Sequence, residues 1–417
     1  MNDNKFWRGI LIGILLTAGA IEIWNLSISR AQPNGAKALL APVSEAYKLI
    51  KQHFYRPSDA EEKELIHGAI RGMLQQLDDP YSRFLTPEQY QRFNESLEGE
   101  FVGVGIKIGI EDGKLTVIAP LRESPAFKAG IKAADIILEI DGQSTEGLTL
   151  EEAVNKIRGE RGTPVKLKVQ HEDGQKEEFT LIRDVIKVET VEYKLLDKKI
   201  GYVSINNFNR QTAQELQKAL DELQKAEIQG LILDLRDNPG GLLHVAVEVA
   251  SFFIDSGLIL SSQSRSGTQQ YTTKGNKRAN LPMAVLINKG TASASEIVAG
   301  AIADHHMGVL VGRRSFGKGV IQTSYTLEDN SALILTTAEY FTPKGRKVQR
   351  ECRGDSRAAP CWEGGLMPHI YVANEEDDLK IAQSWVEAHL GRLCPCPFQH
   401  AQSKRFRVSF HLAWFTE

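Results

Sequence analysis

The sequence predicts a multidomain α/β protein: an α/β core with parallel-sheet βαβ units, a small inserted β-rich domain with two helices, and a helical region ahead of both. Three observations lead there. From residue 199 onward, apolar strand-like runs alternate with helical patterns. Residues 97–183 alternate apolar and polar positions and carry turn residues. Residues 36–96 repeat apolar side chains at helical spacing.

At the N-terminus, Lys5 and Arg8 precede the apolar run GILIGILLTAGAI, residues 9–21, which Glu22 interrupts. A spanning helix needs about 20 apolar residues, so this run suits the core of an export signal. The SRA at residues 29–31, before Gln32-Pro33, has the small-x-small form of a cleavage site. Residues 1–31 are therefore expected to be a signal peptide or a membrane anchor, with membrane association through residues 9–24; cleavage and retention stay open.

In residues 36–96, Val43, Tyr47, Ile50 and Phe54 form one stripe, and Ile66, Ile70, Met73 and Leu77 form another. The pattern breaks at Pro80 in DDPYSRFL. It restarts with Thr86 as N-cap, Pro87 in the first turn and Gln89 closing a capping box. Such short amphipathic helices need a partner surface, and a homodimer through them is one expectation.

Residues 97–183 read as FVGVGIKIGI and KLTVIAPL around the turn EDG, then SPAFKAGIKAADIILEIDGQ, a helix LTLEEAVNKIRG and a strand PVKLKVQ. From residue 184 to 375 the larger unit follows. IGYVSI is a strand; Thr212 and Glu215 are expected to form a capping box for a helix through Leu216, Leu220 and Leu223; GLILDL is the next strand. Strand, helix, strand within this span makes a right-handed βαβ unit. NPGG (residues 238–241) turns into the helix LLHVAVEVASFFI, and PMAVLIN turns through KGTA into GTASASEIVAGAIADHH. Both turns fall at the carboxyl ends of strands, where open α/β sheets bind ligands. Residues 376–417 are expected to hold a C-terminal helix and a tail without clear periodicity.

Fifty basic residues against 53 acidic ones give a net charge of −3, which argues for no nucleic-acid partner. The four cysteines, Cys352, Cys361, Cys394 and Cys396, lie far in sequence from GTASASE; CPC at 394–396 is too tight for an easy internal bridge and lacks zinc-ligand spacing, and outside the cytoplasm Cys352 and Cys361 are the natural pair.

Ser293 stands where the strand AVLIN must bend before its helix, and Ser295 falls in the first helical turn. The unpaired N–H groups there favour an anion, as a tetrahedral oxyanion requires. A plain capping role for both serines fits the same spacing. A nucleophilic serine needs a base. His305 and His306 lie roughly 18 Å down the same helix, too far for direct transfer. His244, in the helix after NPGG, is nearer. Lys318, between two glycines in GRRSFGKGVIQT, can serve only if burial lowers its pKa from about 10.4 by several units. Gln322 could orient the ammonium or the hydroxyl. A solvated loop lysine is the plain alternative. GRRSFGK also matches the start of a phosphate-binding loop, but Gly319 stands where Ser or Thr should bind Mg²⁺, and a strand follows instead of a helix.

Together, DDPYSRFLTPEQ, LILDLRDNPGGLL, GTASASEIVAGAIADH and GRRSFGKGVIQ resemble the C-terminal processing peptidases, the tail-specific proteases, from about residue 40 to about 375. The resemblance implies a nucleophile at Ser293, a lysine base at Lys318 and an assisting glutamine at Gln322. It implies an oxyanion hole from the N–H groups of Ala294 and of Gly240 or Gly241. Residues 97–183 resemble a circularly permuted PDZ domain, with Gly103, Val104, Gly105 and Ile106 at the loop that would hold a peptide carboxylate. Arg158 and Arg161, in IRGERG, are candidates for coupling PDZ position to the active site. The implied protein is a bacterial, extracytoplasmic serine endopeptidase that takes protein substrates by their C-terminal tails. It needs no metal or organic cofactor. The alternative is a non-catalytic PDZ adaptor on a protease-like fold, against which the joint presence of Ser293, Lys318, Gln322 and NPGG argues. RECRGDSRAAPCWEGG and the tail after residue 397 depart from the family pattern.

Overall fold

The computed structural model describes residues 34–351 and 364–390; the expected export signal and all four cysteines lie outside them. Two compact units separate at Phe84 and Leu85. In the first, the helix Asn34–His53 and the helix Glu62–Gln75 carry the two apolar stripes. Much of that apolar surface is open: Leu39, Val43, Ile50, Met73 and Leu77 are all exposed. Among the described residues, no helix is long and apolar enough to cross a membrane.

The second unit begins with the helix Pro87–Glu98, capped as the sequence predicts by a Thr86–Gln89 box and ended by Gly99 in the left-handed region. The strands Glu100–Gly103 and Asp184–Lys187 then pair antiparallel, from Glu100↔Lys187 to Gly103↔Asp184. They form the neck of an inserted domain. Within it, the strands run in the order Ile106–Glu111, Lys114–Pro120, Ile136–Ile140, Pro164–Gln170, Lys176–Ile182. The helices Pro125–Ala129 and Leu150–Ile157 complete it, the second capped by a Thr149–Glu152 box. Its core gathers Leu115, Val117, Ile137, Ile140, Leu167 and Val169.

The larger sheet has the strand order Val191–Leu196, Ile200–Ile205, Gly230–Asp234, Met283–Ile287, Val309–Gly312, Ile370–Tyr371. The first pair is antiparallel and the rest are parallel. Gly230–Asp234 and Met283–Ile287 are buried along their whole length, as central strands covered on both faces should be. Helices Thr212–Lys225, Leu243–Ser251 and Ala294–Asp304 bury one face, and Asp378–Ala388 the other. An antiparallel sheet containing Leu258–Ser264, Gly267–Thr272, Ala332–Phe341 and Val320–Thr326 packs beside them.

One cap differs from the sequence expectation. Thr212 and Glu215 form no capping box: the helix has Gln211 at its N-cap with no side-chain cap. The Glu215 carboxylate instead accepts from the backbone of Thr190 and Val191 and from Thr190 Oγ1, and Thr212 Oγ1 accepts from Asn209 N. The strand entry at residue 190 supplies better donors than the helix's own first turn, and a local motif could not reveal them.

Candidate active site

Three loops leave the carboxyl ends of neighbouring strands and meet. After Gly230–Asp234 comes the NPGG loop. After Met283–Ile287 comes the KGTA loop with Ser293. After Val309–Gly312 comes the loop with Lys318. Their contacts are mostly backbone to side chain. Asp237 N donates to Asn288 Oδ1, and Asn288 Nδ2 donates back to Asp237 Oδ1, each at 3.0 Å. Ala292 N and Ser295 Oγ both donate to Asn238 O, also at 3.0 Å. Phe316 N donates to Thr291 O at 2.9 Å. Ser295 is thus committed to holding the NPGG loop.

Ser293 is the N-cap of Ala294–Asp304, with φ 54° and ψ −115°. A non-glycine residue there carries roughly 1–3 kcal/mol of strain, the kind of sharp strand-to-helix turn that projects a nucleophile. Lys318 Nζ donates to Gln322 Oε1 at 2.8 Å. Gln322 sits beside a register shift between Ile321 and Gln322 in the strand Val320–Thr326, and such bulges re-aim a side chain. Gly240 lies against the serine: a methyl group built on it would stand 2.8 Å from Ser293 Cβ, Ala292 O and Ala294 N. Its own N–H donates to Asn238 Oδ1 at 2.9 Å, so of the predicted oxyanion donors Gly240 is already engaged, while Gly241 and Ala294 are the other two.

Two residues that the sequence reading passed over join the loops. Glu296 accepts at Oε2 from Ser293 N and Lys318 N, both at 2.9 Å, and at Oε1 from Gly317 N at 2.7 Å and from Ser315 Oγ. Tyr340 Oη lies 2.9 Å from Lys318 O and 3.2 Å from Ser293 O. Glu296 had a sequence signal, since Ser293-x-x-Glu296 has the spacing of a capping box; Tyr340 had none.

The histidines go elsewhere. His305 Nε2 meets Leu258 O at 2.7 Å, and His306 Nε2 meets Lys344 Nζ at 3.0 Å. His244 is the second residue of Leu243–Ser251, not a full turn in, and it is exposed.

In the inserted domain, Gly103 ends the neck strand opposite Asp184, because the neck ladder claims it. Val104 is buried, and its carbonyl accepts from Ala126 N. Gly105, at φ 74°, turns into Ile106 at the head of an edge strand that, among the described residues, pairs only with Lys114–Pro120. The helix Leu150–Ile157 packs against that strand. Arg158 Nη1 donates to Glu95 Oε2 at 2.5 Å, with its guanidinium 5.0 Å from the Phe101 ring centre; Arg161 Nε donates to Asp184 Oδ1 at 2.8 Å. Both arginines therefore brace the neck. Among the described residues, no cluster of acidic, histidine or cysteine side chains could hold a metal ion.

Comparison with known proteins gives the geometry a family. Residues 199–370 match the model of peptidase family S41, residues 91–170 the PDZ domain, and residues 17–89 the N-terminal domain of the activating protease CtpB. The carboxy-terminal-processing protease of Bartonella bacilliformis is 38% identical over 345 residues, covering 81% of this chain and 78% of its own. The chain belongs to the carboxy-terminal processing proteases. It is a serine-type peptidase of family S41 by that membership. The carboxy-terminal processing protease CtpA of Bacillus subtilis is likewise 38% identical, over 74% of this chain, which spans 66% of that protein's length. Among solved structures, the photosystem II D1 C-terminal processing protease aligns at 29% identity and a TM-score of 0.46, over 79% of this chain and 91% of its own. In this chain the PDZ match and the S41 match both fall within the second compact unit.

Proposed function

We propose that the chain is an exported endopeptidase that takes protein substrates by their C-terminal tails and cuts them through an acyl-enzyme at Ser293, with Lys318 as the base. The observation that carries this reading is the convergence of the Ser293 and Lys318 backbone N–H groups on one oxygen of Glu296, with Gly240 against Ser293. Uncharged Lys318, oriented by Gln322, takes the Ser293 proton as Oγ attacks the scissile carbonyl. The N–H groups of Ala294 and Gly241 receive the oxyanion. Lys318 gives the proton to the leaving amine, then takes one from the water that attacks the acyl group and hands it to Ser293 Oγ as that bond breaks. Substrate capture falls to the open edge of Ile106–Glu111, where a peptide tail can add as a strand with its carboxylate near Gly105 and Ile106. Arg158 and Arg161 couple the PDZ domain's position to the core through the neck. Export rests on Lys5, Arg8 and the apolar run 9–21, and places the reaction in the cell envelope of a bacterium.

The test is cleavage of an unfolded protein by the purified chain and by Ser293→Ala, Lys318→Ala and Lys318→Arg. All three substitutions should abolish turnover, the last because a guanidinium keeps its proton. Cleavage that survives Ser293→Ala sinks the reading. Binding of C-terminal peptides with no cleavage by the unaltered chain would instead make it an adaptor.

A further inference from the structure

We infer that Glu296 is a positioning residue: its carboxylate fixes the spacing between the nucleophile and its base, with Tyr340 doing the same on the carbonyl side. This rests on reading Ser293 and Lys318 as the dyad. Ser293 begins a helix, whereas Lys318 lies in an irregular loop that no sheet ladder holds. Some other group must set their separation.

Glu296 is fully buried, at 0% exposure. A carboxylate offers about four acceptor positions, and four donors are aimed at this one: Ser293 N, Lys318 N, Gly317 N and Ser315 Oγ. Ser315 is itself anchored, its Oγ accepting from Leu366 N at 2.6 Å. The three backbone N–H groups cannot accept a proton, so the set selects the ionised form. Burial works the other way and pushes the carboxyl above its usual range, with the bonds from Ser315, Gly317, Lys318 and Ser293 opposing it. Tyr340, 1% exposed, shares its single hydroxyl proton between the carbonyls of Lys318 and Ser293. The peptide groups of both residues are thus gripped at the nitrogen by one side chain and at the oxygen by another. The bonds from Glu296 and Tyr340 go to the peptide groups of the two residues, which is why the role is placement.

An amide has the shape of a carboxylate but turns an NH₂ toward two of the four donors. Whichever way Glu296→Gln sits, either the Ser293–Lys318 pair or the Ser315–Gly317 pair meets another donor. The experiment measures kcat, per serine titrated with a fluorophosphonate, and KM for an unfolded substrate with a C-terminal tail. It uses the full chain and its Glu296→Gln, Tyr340→Phe, Ser293→Ala and Lys318→Ala variants. Glu296→Gln should lower kcat about 100-fold with KM unchanged, since a displacement of roughly 1 Å costs that much. Tyr340→Phe should lower it about tenfold, equivalent to one hydrogen bond. A purely structural role would reduce the number of titratable sites and leave kcat per site alone. A folded Glu296→Gln enzyme within about threefold of the parent kcat would overturn the inference. If that variant does not fold, Tyr340→Phe decides: an unchanged kcat per site overturns it equally. Turnover by Ser293→Ala or Lys318→Ala would instead remove the dyad itself, a failure separate from that of Glu296.

Discussion

Gly240 shows how little room the site leaves. It stands at φ 101°, and a methyl group there would press on three atoms around Ser293 at 2.8 Å. Two of those are backbone atoms that cannot give way. Gly240→Ala should therefore displace Ser293, the proposed nucleophile, and lower kcat/KM by about 100-fold or more. Gly345 is the control. It too has a positive φ, 73°, but nothing within 4 Å of an added methyl. Gly345→Ala should cost about 1–2 kcal/mol of stability for the left-handed backbone and leave turnover per folded molecule intact. Chemical denaturation and peptide-cleavage rates on both variants check the pair; equal losses of activity would refute it. At Gln322, replacement by Ala removes the acceptor 2.8 Å from Lys318 Nζ and should slow turnover about tenfold, without abolishing it.

Among the elements, the inserted domain carries its own pH response. His171 Nδ1 lies 2.7 Å from Asp135 Oδ1 and its Nε2 lies 3.3 Å from Glu177 Oε2. Those two carboxylates raise the histidine's pKa above its ordinary value of about 6.5. A raised native pKa stabilises the fold fully below the unfolded value, and the contribution is lost as pH rises through the native value. The melting temperature of the parent chain should thus exceed that of His171→Gln at acid pH, and the gap should narrow as pH rises past neutrality. A gap that widens instead would contradict the pairing. The neck is the other element with a consequence. Arg158 bonds Glu95, and Arg92 reaches Glu151 and Asn155 from the same helix, Pro87–Glu98. These bonds join the helix Leu150–Ile157 and its cap to Pro87–Glu98, whose Glu98 accepts from Arg210 of the S41 region. Arg158→Ala should change hydrogen-exchange protection in the neck strands and alter turnover with no change at Ser293; an unaltered exchange pattern would deny the coupling.

For the whole molecule, the N-terminal unit leaves its apolar stripes bare. Leu39 is 81% exposed and Met73 57%. Exposed apolar patches of this kind mark association surfaces. The homodimer expected from the sequence follows if two copies cover them. Leu39→Glu with Met73→Glu should then halve the mass seen by light scattering, and an unchanged mass would place association elsewhere. The net charge of −3 gives no strong field of its own to oppose such pairing.

The sequence by itself determined the parts whose physics is local. Apolar periodicity marked the helices, the continuous buried strands announced a parallel sheet, and the turn chemistry of Thr86–Gln89 set where one helix begins. A hydroxyl at a helix entry and a lysine between glycines made Ser293 and Lys318 candidates beside plainer readings, and the resemblance of four motifs in order singled them out as a dyad. Tertiary structure decided what depended on pairs distant in the chain. It paired Glu215 with residues 190–191, seated Gly103 in the neck opposite Asp184, and brought Tyr340 onto Ser293 and Lys318. A buried donor chooses its acceptor by proximity in the folded chain, and no local pattern encodes which distant group will arrive there.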